Sequence, residues 1–235
     1  MKLKNLFLSP FFTPILTIAL WAFFIGIGYT IRAITGPYDV ELNWVTEEGT
    51  YVAYALSFVT LFIVAKDYLK TPLQNTFFAI SALWTALLLR EMGIQHWLTQ
   101  HDTTAIKMRF FTNPNNPLHE KIITVALLAF FGSIAIYLLV KYCRKLFTGF
   151  FKLDMTCWTI ASFAGVAILS QLADRFPSRW AKMHGGLRLE EPVLFFSKLF
   201  EETGEVLLPI LFSLAFWQCY VRLRSTDDCA QLTNN

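Results

Sequence analysis

Six apolar runs, at about 11–31, 51–65, 73–89, 122–140, 155–172 and 206–221, divide this chain, and they leave it few folds. Crossing the hydrocarbon of a bilayer takes a helix of roughly 20 residues. Backbone amides and carbonyls have no water to bond there, so only helices and closed barrels span it. The runs are continuous rather than alternating, which selects helices. Composition agrees, with 55% hydrophobic and 16% charged residues, against about 25% charged in soluble domains. The expected fold is all-α: a polytopic transmembrane helical bundle of about six spans, with residues 1–225 forming a single transmembrane domain and 226–235 a short polar tail.

The first and fourth runs are long enough outright. The second and sixth are short, so Glu48 and Lys66, or Glu205 and Arg222, are expected at the headgroups with their stems in the apolar zone. Lys2 and Lys4 resemble the start of a secretory signal, but the first run continues to Tyr29, Ile31 and Arg32 without an Ala-x-Ala-like site. A retained helix is the expectation. Cys143, Cys157, Cys219 and Cys229 include no C-x-x-C pair, and no disulfide framework is implied.

Lys and Arg concentrate in short cytoplasmic loops. With the N-terminus inside, the inner segments carry ten bases and four acids, a charge of +6, and the outer segments ten bases and thirteen acids, a charge of −3. Both termini are therefore expected in the cytoplasm. The same orientation sends all four histidines and thirteen of the seventeen carboxylates to one side, together occupying the outer segments 32–50, 90–121 and 174–205.

Local signals place helix ends. The proline-free stretch from Asn75 predicts a helix continuing through Arg90 and Glu91 to Trp97. Thr112-Asn113-Pro114-Asn115-Asn116-Pro117 then breaks it, with Asn116 as N-cap and Pro117 at the first helical position. After Glu190, Glu191 and Pro192, the apolar stretch Val193–Phe200 predicts either a surface or re-entrant helix, or one running on into the sixth span with a kink at Pro209. The outer connections are long and the inner ones short.

Four charged clusters are the candidate functional positions. Glu201, Glu202 and Glu205 share neighbouring faces of a helix and repel unless cations or protons intervene. They read as an anionic helix start favoured by the macrodipole, as a metal site, or as partners of an outer Arg. Arg90 and Glu91 are followed by His96, which lies about 140° from Glu91 on a helix and forms no bidentate site with it. His119 and Glu120 open the fourth span, and Asp174 and Arg175 close the fifth. These groups either converge in a cup at the outer leaflet, where charge is costly unless paired or wetted, or form surface salt bridges of little energetic weight.

No H-E-x-x-H or Cys/His finger spacing is present, so a divalent metal rests on the carboxylates and histidines alone. G-x-S-x-G, phosphate-loop and G-x-G-x-x-G patterns are missing too. Mid-span polarity is limited to Thr, Ser, Gln171 and Gln218, which suits helix packing better than ion conduction. The acidic outer face disfavours nucleic acid.

Leu87-Leu88-Leu89-Arg90-Glu91 with His96, then Lys107-x-Arg109-Phe110-Phe111, Pro117, Glu120 and Lys121, and later Asp174-Arg175 and Glu201-Glu202-x-x-Glu205, resemble a pattern in an uncharacterised family of bacterial polytopic inner-membrane proteins. The resemblance covers roughly residues 85–210. It implies a multi-pass protein of the cell inner membrane, and transfers no catalytic role.

Charge without catalytic spacing predicts a non-enzymatic membrane component whose outer face binds a protein partner, a second copy of the chain, a lipid headgroup or an envelope signal. The alternative is a membrane enzyme acting on a lipid headgroup or phosphoester. Arg90 and Arg175 would then hold phosphate while His96 or His119 and a glutamate act as acid, base or metal ligands. A transporter fits least, for want of mid-span charge.

Overall fold

A computed structural model of the chain describes residues 9–36, 40–71, 73–93 and 108–232. Among them, regular structure is helical: α1 (Phe12–Thr35), α2 (Val40–Tyr68), α3 (Gln74–Glu91), the one-turn α4 (Met108–Thr112), α5 (Leu118–Phe151), α6 (Met155–Met183) and α7 (Glu191–Leu232). Five helices contain a stretch long and apolar enough to cross a membrane: Phe12–Ile34, Glu48–Tyr68, Leu118–Phe151, Met155–Met183 and Glu191–Arg222. The chain is a helical, multi-pass integral membrane protein. The third apolar run is the helix α3 but is not among the five, because Gln74, Asn75, Arg90 and Glu91 occupy the ends of its 18 residues.

Two helix boundaries differ from those expected. α3 stops at Glu91 rather than Trp97: Gly93 takes φ +68°, a left-handed conformation that glycine adopts without strain, and its amide donates to the Arg90 carbonyl at 3.0 Å. α5 opens at Leu118, but Asn116 is not its side-chain cap, since its Oδ1 accepts no hydrogen bond among the described residues, while its Nδ2 donates to the Phe110 carbonyl at 2.8 Å. Val193–Phe200 takes the second of its two expected forms. It forms the first turns of α7, which runs unbroken past Pro209 for 42 residues, about 63 Å at the usual rise.

The described residues divide into two compact units, one made of the chain up to Val64 together with Phe147 onward, the other of Ala65–Leu146. In the first, α6 packs along α7, and α1 lies against both. Thr13 near the start of α1 bonds Thr159 near the start of α6 and Gln218 late in α7, so α1 and α6 run parallel and α7 runs against them. Trp21, Val166, Leu207 and Leu211 form the buried core, flanked by Phe24, Phe163 and Phe200. Close approach of α6 and α7 depends on small residues, for a Cβ at Gly204 would stand 2.9 Å from that of Ser170.

The turn into α6 closes at Leu153, which takes φ 57°, and at Asp154, whose carboxylate accepts from the amides of Thr156 and Cys157 and so caps the helix. In the second unit, the end of α2 meets the start of α3 through stacked Tyr68 and Phe77, 5.5 Å between centroids. There Thr76 at the start of α3 shares a 2.7 Å hydrogen bond with the Tyr142 hydroxyl late in α5.

Candidate functional site

Polar groups inside the first unit bond one another across helices. The Thr13 and Thr159 hydroxyls lie 2.7 Å apart, Thr159 donates to Gln218 Oε1 at 2.6 Å, and Gln218 Nε2 donates to Thr13 at 3.3 Å. This triangle joins α1, α6 and α7 and is closed to solvent. Gln218 thus ties helices together, as the scarcity of mid-span polarity suggested. Farther along, the Trp21 indole donates to Thr203 Oγ1 at 2.9 Å and stacks on Phe200 at 4.2 Å.

Proline chemistry explains another contact. Pro177 lies inside α6 and has no amide to give the Ala173 carbonyl four residues back. The Ser197 hydroxyl of α7 supplies that bond at 2.8 Å. A freed carbonyl in a lipid-facing helix otherwise lacks any donor, so the proline is tolerated because serine stands opposite it.

Ion pairs mark both ends of this unit. At one end Arg222 donates to Asp154 at 2.6 Å. Partial burial pushes the Asp154 carboxyl upward, but the Arg222 hydrogen bond and the Cys157 and Thr156 amides outweigh it and hold the group below its usual range. At the other end Arg32 pairs with Glu191 and covers the Phe195 ring at 4.1 Å. Neither pair was foreseen: Arg32 closes the first apolar run and Arg222 flanks the sixth, but which helix ends become neighbours depends on packing.

The expected candidates fall in both units and are described within each. Arg90 and Glu91 pair with one another at 2.8 Å where α3 ends. His96 lies outside the described residues. His119 is exposed and Glu120 buried in the first turn of α5, where Lys121 donates to the Asn113 carbonyl at 2.7 Å. Asp174 and Arg175 are exposed on α6, with no ion pair among the described residues.

Glu201, Glu202 and Glu205 are half-buried, each engaged by neighbours, and sit within α7 rather than at its start. The macrodipole acts on the first turn, so Glu191, not Glu201, is the carboxylate it favours. Ser170 donates to the Glu201 carbonyl at 3.1 Å, fixing this cluster beside the middle of α6.

Among the described residues no group of three His, Cys, Asp or Glu is arranged to hold a metal ion. Compared with protein-family models, with curated proteins and with solved structures, the chain has no match, so its own residues carry the functional argument.

Proposed function

We propose that this chain is a non-enzymatic component of a bacterial inner membrane, its helices an anchor and its charged outer segments a surface for a protein partner or lipid headgroup. One observation carries the reading. The interior polar groups of α1, α6 and α7 are used in joining helices, whereas Asp174, Arg175, Arg179 and Lys182 project outward from α6.

Chain topology supports six crossings with both termini on one side. α1 ends at the Arg32–Glu191 level, and α6 begins at the opposite end. Between Thr35 and Met155 the chain therefore crosses an odd number of times. The α2 and α5 helices supply two of those crossings, and α3 supplies the third, its 18 residues being about 27 Å long. Bias of Lys and Arg then assigns the ends of α2, α5 and α7 to the cytoplasm.

The test is cross-linked co-purification from native membranes. Asp174→Ala and His96→Ala are expected to reach normal membrane levels and lose the co-purifying partner. Retained partner in both variants, or stoichiometric divalent metal in the purified wild type, would overturn the proposal.

A further inference from the structure

The last two turns of α6 are amphipathic in an unusual way for a helix end. Arg175, Arg179 and Lys182 follow one another at i, i+4 and i+7, which places them on one stripe. All three are exposed, and none has an ion pair or side-chain hydrogen bond among the described residues. Phe176, Trp180 and Met183 follow the same spacing one position on, forming an adjoining apolar stripe. Phe176 is 40% and Met183 71% exposed. Trp180 is wedged between Phe176 and the His184 ring, the latter stacked at 3.9 Å.

Depth along the helix gives this surface its surroundings. The Asp154–Arg222 pair caps the start of α6. From Met155 to Arg175 the axis rises about 30 Å at the usual 1.5 Å per residue, which is the thickness of a bilayer's hydrocarbon core, about 30 Å. The stretch from Arg175 to Lys182 adds about 10 Å and so lies at headgroup level. An aromatic residue with a polar edge is favoured at that level.

We propose that Arg175, Arg179 and Lys182 form a binding site for the phosphate of an anionic phospholipid headgroup, with Phe176, Trp180 and Met183 meeting the top of its acyl chains. The inference rests on the reading of this chain as a membrane component and names the ligand of one charged segment. A guanidinium fork matches two phosphate oxygens, and a row of them one turn apart follows a headgroup layer. An acidic protein would satisfy the bases but leave the apolar stripe bare. A lipid satisfies both.

Lipid quenching of Trp180 tests it. Full-length protein in detergent micelles is titrated with dibrominated phosphatidylglycerol or dibrominated phosphatidylcholine, and the Trp180 signal is the quenching lost in Trp180→Phe. Phosphatidylglycerol is expected to quench at a several-fold lower mole fraction than phosphatidylcholine. That difference is expected to vanish when Arg175, Arg179 and Lys182 are all replaced by Gln, and to persist in Arg179→Lys. Should the triple variant fail to fold, Arg179→Gln alone is expected to reduce it.

Equal quenching by the two lipids overturns the site, as does a preference that survives loss of the charges. If millimolar inorganic phosphate abolishes the difference, the stripe is a free-phosphate site and the lipid assignment fails. Equal quenching with partner co-purification intact removes this site alone, whereas lost co-purification with the lipid preference kept removes the partner reading alone.

Discussion

Ser197 shows how a single hydroxyl permits a residue that the helix would otherwise reject. The tolerance of Pro177 is not legible in the sequence, because the compensating donor lies on another helix 24 residues from Ala173. Ser197→Ala is expected to cost about 1–3 kcal/mol, the penalty for stranding a buried acceptor. Adding Pro177→Ala restores the missing amide and is expected to recover most of that loss, a coupling that denaturant unfolding in micelles measures. Asp154 gives a pH dependence of definite sign. Its folded pKa is depressed, so its contribution is fully present above the unfolded carboxylate value, about 3.9, and is lost as pH falls through the lower folded value. Asp154→Asn is therefore expected to flatten the decline of thermal stability below about pH 4, a difference that melting curves across pH reveal.

At the scale of the element, α7 shows packing selecting between two readings its sequence allowed. The Glu201-Glu202-x-x-Glu205 cluster read in one alternative as an anionic helix start favoured by the macrodipole, yet the helix begins ten residues earlier at Glu191. No glycine or proline between Pro192 and Gly204 stops it, and Phe195 and Leu199 find a partner surface in Ile25 and Ile31 of α1. Packing thus extends the helix beyond the apolar run that hydropathy marks. The Gly204–Ser170 approach holds α7 against α6. Gly204→Leu is expected to destabilise the fold by about 1–3 kcal/mol through overpacking, while the same change at Gly132, which has open space around it, leaves stability nearly unchanged. Parallel unfolding curves for the two variants check the contrast.

For the whole molecule, the membrane imposes a parity that single helices do not. On the proposed six crossings with a cytoplasmic N-terminus, Asn235 lies in the cytoplasm. A reporter fused after Asn235 is expected to be active only there, and Asn115→Cys in a cysteine-free background to react with an impermeant thiol reagent from outside. An active periplasmic fusion, or protection of Cys at 115 until the membrane is opened, would reverse the orientation. Surface charge belongs to this scale as well: on the proposed topology, one-sided placement of histidines and carboxylates follows largely from basic residues being retained on the inner side.

Much of the architecture was legible because apolar length and hydrogen-bond satisfaction in lipid are one-dimensional constraints: each run announces a helix whatever its neighbours do. His119 and Glu120 fell in the first turn of α5 as the broken Thr112–Pro117 segment implied. The alliances between helices could not be read in the same way. Arg32 with Glu191, Arg222 with Asp154, and the Thr13–Thr159–Gln218 triangle join positions up to 205 residues apart. Nothing in local periodicity distinguishes those partners from other charges and hydroxyls at the same depth. The sequence by itself determined that helices would cross a membrane and which segments would carry charge. Only the tertiary structure decided which polar groups are used in holding helices together and which remain at the surface, because that choice depends on the rotation and register of each helix against its neighbours.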